Sequence, residues 1–83
     1  MRVTIIPSNG FVSIDGEGFS ELDLSFIDAS VHAVQWYGTD GEIEQKDTRG
    51  RMIANVSIDS IEQFQPALDL WQAAKTAAQQ GAN

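Results

Sequence analysis

The chain reads as an α+β domain: a small antiparallel β-sheet of about four to six short strands in hairpins, followed by one C-terminal α-helix. Three observations predict this. Short β-branched or alternating runs recur through residues 1–58, separated by Asn-Gly, Asp-Gly and other glycine turn signals. From Ser60 the period changes, and Ile61, Phe64, Leu68, Trp71 and Lys75 fall at the alternating three- and four-residue spacing of one helix face. The length, 83 residues, suits a single domain. Residues 1–58 are therefore expected to form the antiparallel meander, and residues 59–83 a helix packed on it in the same unit.

Taken in order, Val3–Ile6 is β-branched and predicts a strand. Pro7-Ser8-Asn9-Gly10 follows, and Asn-Gly favours a type I′ hairpin into Phe11–Ile14. Pro7 has no N–H to give a ladder, which predicts that this hairpin either sits at a sheet edge or flares there; an edge strand near it would offer a surface for strand addition. Asp15-Gly16 is a second turn, leading to a short strand through Gly18 and Phe19. The alternation of Leu22, Leu24 and Phe26 predicts an extended segment packed on one side. Val31–Tyr37 is the strongest strand, with Val31, Ala33, Gln35 and Tyr37 on one face and His32, Val34 and Trp36 on the other. A turn at Gly38–Gly41 leads to its mate, Glu42–Lys46, which points Ile43 inward and Glu42, Glu44 and Lys46 outward. After a turn at Asp47–Gly50, Arg51–Ile58 supplies a last strand. Asp59 or Ser60 can cap the final segment, with Glu62 and Gln63 placed for a capping box. Pro66 is tolerated only in a first turn, so a short turn over 60–65 and a main helix from Pro66 to about Gln80 are expected, ended by Gly81-Ala82-Asn83. The Ala- and Gln-rich stretch Ala73–Gln80 has little apolar bulk and would fray alone, but a partner helix could order it.

Twelve acidic residues against five basic ones leave a net charge of −7, a balance that repels polyanionic nucleic acid. Three of the five cations, Lys46, Arg49 and Arg51, fall within six positions, a cluster that could touch an acidic partner but more often marks a solvated loop. No apolar run is long enough to cross a bilayer as a helix, and the N-terminal apolar stretch is too short for a signal peptide. The expected partners thus include no nucleic acid and no membrane, and the expected birthplace is the cytoplasm. With no cysteine there is neither a disulfide nor a thiolate metal site.

Catalysis needs an activated nucleophile or a paired acid and base. His32 is the single histidine, set among apolar strand neighbours, and no Gly-x-Ser-x-Gly elbow accompanies it. Glu42 and Glu44 share a strand face and could in principle act as a carboxylate pair, but an exposed strand face is the ordinary origin of that pattern. Asp15-Gly16-Glu17 and Asp40-Gly41-Glu42 lack the alternate acidic ligands of a calcium loop and read as turns. The expectation is a non-enzymatic chain with no cofactor and no metal. Large aromatics are favoured interface anchors. Trp36 and Tyr37 are adjacent in a strand, so one enters the core and the other lies outside, while Trp71 holds a core-compatible helix position. The candidate partner-binding residues are Trp36, Tyr37, Glu42, Glu44 and Trp71.

The stretch Val31-His32-Ala33-Val34-Gln35-Trp36-Tyr37-Gly38 with Gly41-Glu42-Ile43-Glu44, the opening Val12-Ser13-Ile14-Asp15-Gly16 and the closing Leu70-Trp71-Gln72-Ala73-Ala74-Lys75 together resemble small tail-module proteins of tailed bacteriophages. These short motifs touch about two-thirds of the chain. The resemblance implies a tail-fibre assembly helper or a minor tail or virion component, without catalytic residues. It implies other tail or tail-fibre proteins as partners and a place in the host cytoplasm during assembly or in the virion tail; apart from the resemblance, a homo-oligomer is kept open as a further partner. The chain departs from the pattern between Lys46 and Ser57, which lacks a proline-rich connection. The alternative reading is an acidic inhibitor that mimics nucleic acid and binds a host protein. It predicts carboxylates in a regular line, whereas the acidic residues here are spread among turns.

Overall fold

A computed structural model describes residues 1–81. Six antiparallel strands form one sheet, followed by a single C-terminal helix, as expected of the α+β class. The strands are β1 (Val3–Ile6), β2 (Phe11–Ile14), β3 (Glu17–Phe19), β4 (Val31–Trp36), β5 (Gly41–Lys46) and β6 (Met52–Ile58); the helix is α1 (Gln65–Gly81). Their order across the sheet is β3-β2-β1-β4-β5-β6.

That order corrects the edge position, one of the two alternatives expected of the first hairpin. β1 pairs with β2 on one side and β4 on the other, so it is internal. Pro7 stands just beyond the strand and opens a 3-10 turn over Pro7–Asn9, where its missing N–H costs no ladder bond. The Asn9-Gly10 pair is not a type I′ turn, because Gly10 alone has positive φ. A second constraint also favours glycine at position 10. Its carbonyl accepts the Leu22 N–H at 3.0 Å, and a Cβ there would meet the Leu22 carbonyl oxygen at 2.5 Å. The left-handed pair falls at Asp15-Gly16 instead, with φ of 51° and 88° at the two residues between Ile14 and Glu17.

Cross-strand pairing sorts the side chains into two faces. Val3 lies opposite Ile14 and Trp36, and Ile5 opposite Val12 and Val34; with Ile43 these form the buried face. A bulge at His32 in the β4–β5 ladder shifts the phase of β4. Val31 consequently packs against the core with Val34 and Trp36, while His32 is exposed, contrary to the simple alternation. Residues 20–30 turn before the expected alternation is complete, since the Ile27 N–H bonds back to the Leu24 carbonyl at 3.0 Å. Leu24 is buried and Ile27 packs on the core, whereas Phe26 points out.

The helix closes the core through the predicted stripe, with Phe64, Ala67, Leu68 and Trp71 buried. Ser60 Oγ accepts the Glu62 N–H at 3.1 Å and a 3-10 turn over Glu62–Phe64 feeds α1. Pro66 thus falls within the first helical turn. The expected stop extends beyond Gly81 to residues outside those described. α1 lies over β2 and β3. Trp71 pins it there: the ring meets Phe19 edge-on at 6.0 Å, and the indole N–H donates to the Glu17 carbonyl at 2.8 Å. Lys75 reaches the same strand, 3.3 Å from the Glu17 carboxylate and 5.1 Å from the Trp71 ring centroid.

Two substitutions test this anchoring. Trp71→Ala removes a buried ring and leaves the helix unpinned, so urea unfolding followed by circular dichroism is expected to show a loss of about 3–5 kcal/mol. Gly10→Ala must displace the Leu22 backbone and adopt a disfavoured φ, with an expected loss of about 1–3 kcal/mol in the same measurement.

Candidate interaction surface

The face of the sheet away from α1 is uncovered and largely polar, with Ile6, Phe11 and Met52 as its apolar members. Because the strand period is two, residues directly across the ladders share it: Ser13, Thr4, Gln35, Glu42 and Ser57 form one row from β2 to β6. Side chains along this face are hydrogen-bonded to one another. Thr4 Oγ1 donates to Gln35 Oε1 at 3.0 Å, and Gln35 Nε2 donates to Glu44 Oε2 at 3.5 Å. Tyr37 Oη donates to Glu42 Oε1 at 3.2 Å, and Asn55 Nδ2 donates to Glu42 Oε2 at 3.1 Å. The Arg2 guanidinium lies 5.3 Å from the Tyr37 ring centroid, so the ring is held between a cation and a carboxylate. Partial desolvation and the bond to Glu42 together raise the Tyr37 phenol above its ordinary pKa, since ionising it would place a second negative charge beside the carboxylate.

The five candidate residues divide accordingly. Tyr37, Glu42 and Glu44 come together on the open face. Trp36 and Trp71 do not join them; both are buried in the core cluster, where their rings are committed to the domain's own packing. Glu42 and Glu44 each accept bonds from neutral side chains, Tyr37 and Asn55 for the first and Gln35 for the second. His32 lies exposed at the bulge. Among the described residues, no group of three or more His, Cys, Asp or Glu side chains is placed to hold a metal ion, and no helix is long and apolar enough to cross a membrane.

The sequence reading missed the other edge of the sheet. β6 is an edge strand of seven residues, Met52-Ile53-Ala54-Asn55-Val56-Ser57-Ile58, without a charge or a proline. Such edges are ordinarily blunted by charge, proline or cover, because they present unpaired backbone groups. Ile53 lies opposite Gln45 and Val56 opposite Ile43, so both project from the helix-bearing face, yet they are 48% and 43% exposed. Beside them a shallow depression is lined by Phe26, Val31, Ile43, Gln45 and Phe64. The absence of charge from Met52 to Ile58 was the available sequence signal; which side of the strand would lack a neighbour was not.

At one end of β6 the chain turns through Asp47–Gly50. Asp47 Oδ1 accepts the backbone N–H groups of Arg49 and Arg51, both at 2.9 Å, and Oδ2 accepts from Arg51 Nε at 3.1 Å. The Arg51 backbone bond, followed by that from Arg49 and the Arg51 side chain, holds the carboxyl below its ordinary pKa.

No protein family, curated protein or solved structure matches this chain.

The tyrosine–glutamate contact is directly measurable, because Tyr37 is the single tyrosine. In Glu42→Gln the phenol loses its charged acceptor and keeps its partial desolvation. Ultraviolet titration of tyrosinate is expected to show its pKa falling toward the ordinary value of about 10. An unchanged titration curve would show that Glu42 does not govern the ring.

Proposed function

We propose that this protein is a non-enzymatic tail-module protein of a tailed bacteriophage, acting through protein–protein contacts as a structural component of the tail or tail-fibre region or as a fibre-assembly chaperone. The observation that carries the contact-based part is the uncovered sheet face, where Tyr37, Glu42, Glu44, Gln35 and Asn55 are held in place by their mutual hydrogen bonds. Side chains already ordered in this way lose less freedom when a partner covers them, which favours association. The assignment to a phage tail is supported by the resemblance of the Val31–Gly38, Gly41–Glu44 and Leu70–Lys75 segments to such proteins.

On this proposal Tyr37 supplies amphipathic contact area at the β4–β5 turn end of the surface, and Glu42 and Glu44 select a partner patch that donates hydrogen bonds or carries positive charge. Trp36 and Trp71 support the surface from beneath by stiffening the sheet and seating the helix.

Deletion of the gene in its phage, combined with quantitative mass spectrometry of purified virions, tests the reading. A structural component is expected in virions at a fixed ratio to other tail proteins. A chaperone is expected to be absent from them, with fibre assembly failing on deletion. In either case the double variant Tyr37→Ala/Glu42→Lys should reduce particle incorporation or fibre assembly about tenfold or more while its circular dichroism stays native. Virions that lack the protein, with fibres assembling normally after deletion, would overturn the proposal.

A further inference from the structure

We infer that Asn9 is a deamidation site held closed by the fold: its reaction with the backbone nitrogen of Gly10 waits until the Glu21–Leu22 backbone lifts off Gly10. The site lies in the turn between β1 and β2, away from the open face, and does not depend on the phage-tail proposal.

The chemistry is that of an Asn-Gly pair. The Gly10 backbone nitrogen attacks the Asn9 side-chain carbon Cγ. A new C–N bond forms, the side-chain amide C–N bond breaks, and ammonia leaves with the proton that Gly10 gives up. Water then opens the five-membered imide at either carbonyl, giving aspartate or isoaspartate. Gly10 has no Cβ to crowd the attack, whereas Asn55 precedes the β-branched Val56. Asn9 is exposed, so water reaches its side chain.

The folded turn opposes the reaction. Ring closure needs the Gly10 nitrogen eclipsed with Cβ of Asn9 about the Cα–C bond. Asn9 closes a 3-10 turn, and the ψ of such turns, about −20 to −30°, swings that nitrogen aside. The Gly10 N–H is also engaged by the Pro7 carbonyl at 3.1 Å. The turn cannot rearrange in place, because Gly10 is buried and its carbonyl accepts the Leu22 N–H at 3.0 Å. The Leu22 backbone lies so close that a Cβ on Gly10 would meet it at 2.5 Å. This clasp closes against strain, since Glu21 holds a left-handed φ of 63°. Local opening of the clasp therefore sets the rate. Once formed, the new carboxylate at position 9 stands with Glu21 and Asp23 around one depression, and like charges work against reclosure.

The test incubates the full-length protein, folded and in guanidinium chloride, at one pH and temperature, with peptide mapping by mass spectrometry following aspartate and isoaspartate at position 9. Deamidation is expected to be about tenfold or more faster in the unfolded chain. Leu22→Ala loosens the clasp and leaves Asn9-Gly10 intact. It should speed the reaction about threefold or more in the folded protein, with Leu22→Val intermediate and circular dichroism native for both. Hydrogen exchange of the Gly10 N–H should quicken in the same order. Ile61→Ala, a truncation of similar size at the entrance to the helix, should leave the rate unchanged, which separates opening of the clasp from general loss of stability. Equal rates in the folded and unfolded protein, an unreactive Asn9 in the unfolded chain, or a Leu22→Ala rate equal to that of the wild type or of Ile61→Ala would each overturn the inference.

Discussion

The structure depends on the seating of one helix on one end of a six-stranded sheet. Ala67, Leu68 and Trp71 close over the row built by Val3, Ile5, Val12 and Val34, and these four sheet residues are the largest fully buried side chains among those described. Trp71 does more than fill volume. Its indole N–H is satisfied by the Glu17 carbonyl, so the helix is tied to β3, the short strand at the far edge. Lys75 repeats the tie one turn later through the Glu17 carboxylate.

That choice of seat has a geometric consequence. A helix of 17 residues is about 25 Å long and, with its side chains, about 10 Å wide. Six strands at their usual spacing extend about 24 Å across the sheet. One helix lying over β2 and β3 therefore leaves the far end of its own face, beside β6, thinly covered, and among the described residues only the 20–30 segment and the turn before α1 continue the layer. Ile53 and Val56 are half-exposed for this reason, and β6 is left as an open edge. The opposite face solves its exposure differently. Its hydroxyl, amide and carboxylate groups bond to one another between neighbouring strands, directly across the ladder for Thr4 and Gln35 and diagonally for Tyr37 and Asn55 with Glu42.

The two surfaces differ in physical character and so in what they can do. The polar face is arranged in advance and carries negative charge, properties that favour selectivity over raw adhesion. The β6 edge is neutral and apolar and offers unpaired backbone groups, properties that favour strand addition.

Local chemistry was readable from the residues in order: the positions of the strands, the Asp15-Gly16 turn, the buried stripe of α1 and the burial of one of the adjacent pair Trp36 and Tyr37. Each rests on interactions spanning a few residues, such as backbone φ preference or the two- and 3.6-residue periods. Strand order, the bulge at His32 and the identity of the exposed edge were not readable in this way. Pro7 suggested an edge at the first hairpin, yet β1 became internal because β4, about thirty residues later, paired with its other side. A bulge of one residue reversed the side on which Val31 lies, and a single backbone bond from Ile27 to Leu24 turned Phe26 outward. Such features arise from pairing between distant segments and from where the helix comes to rest, and no local period encodes either.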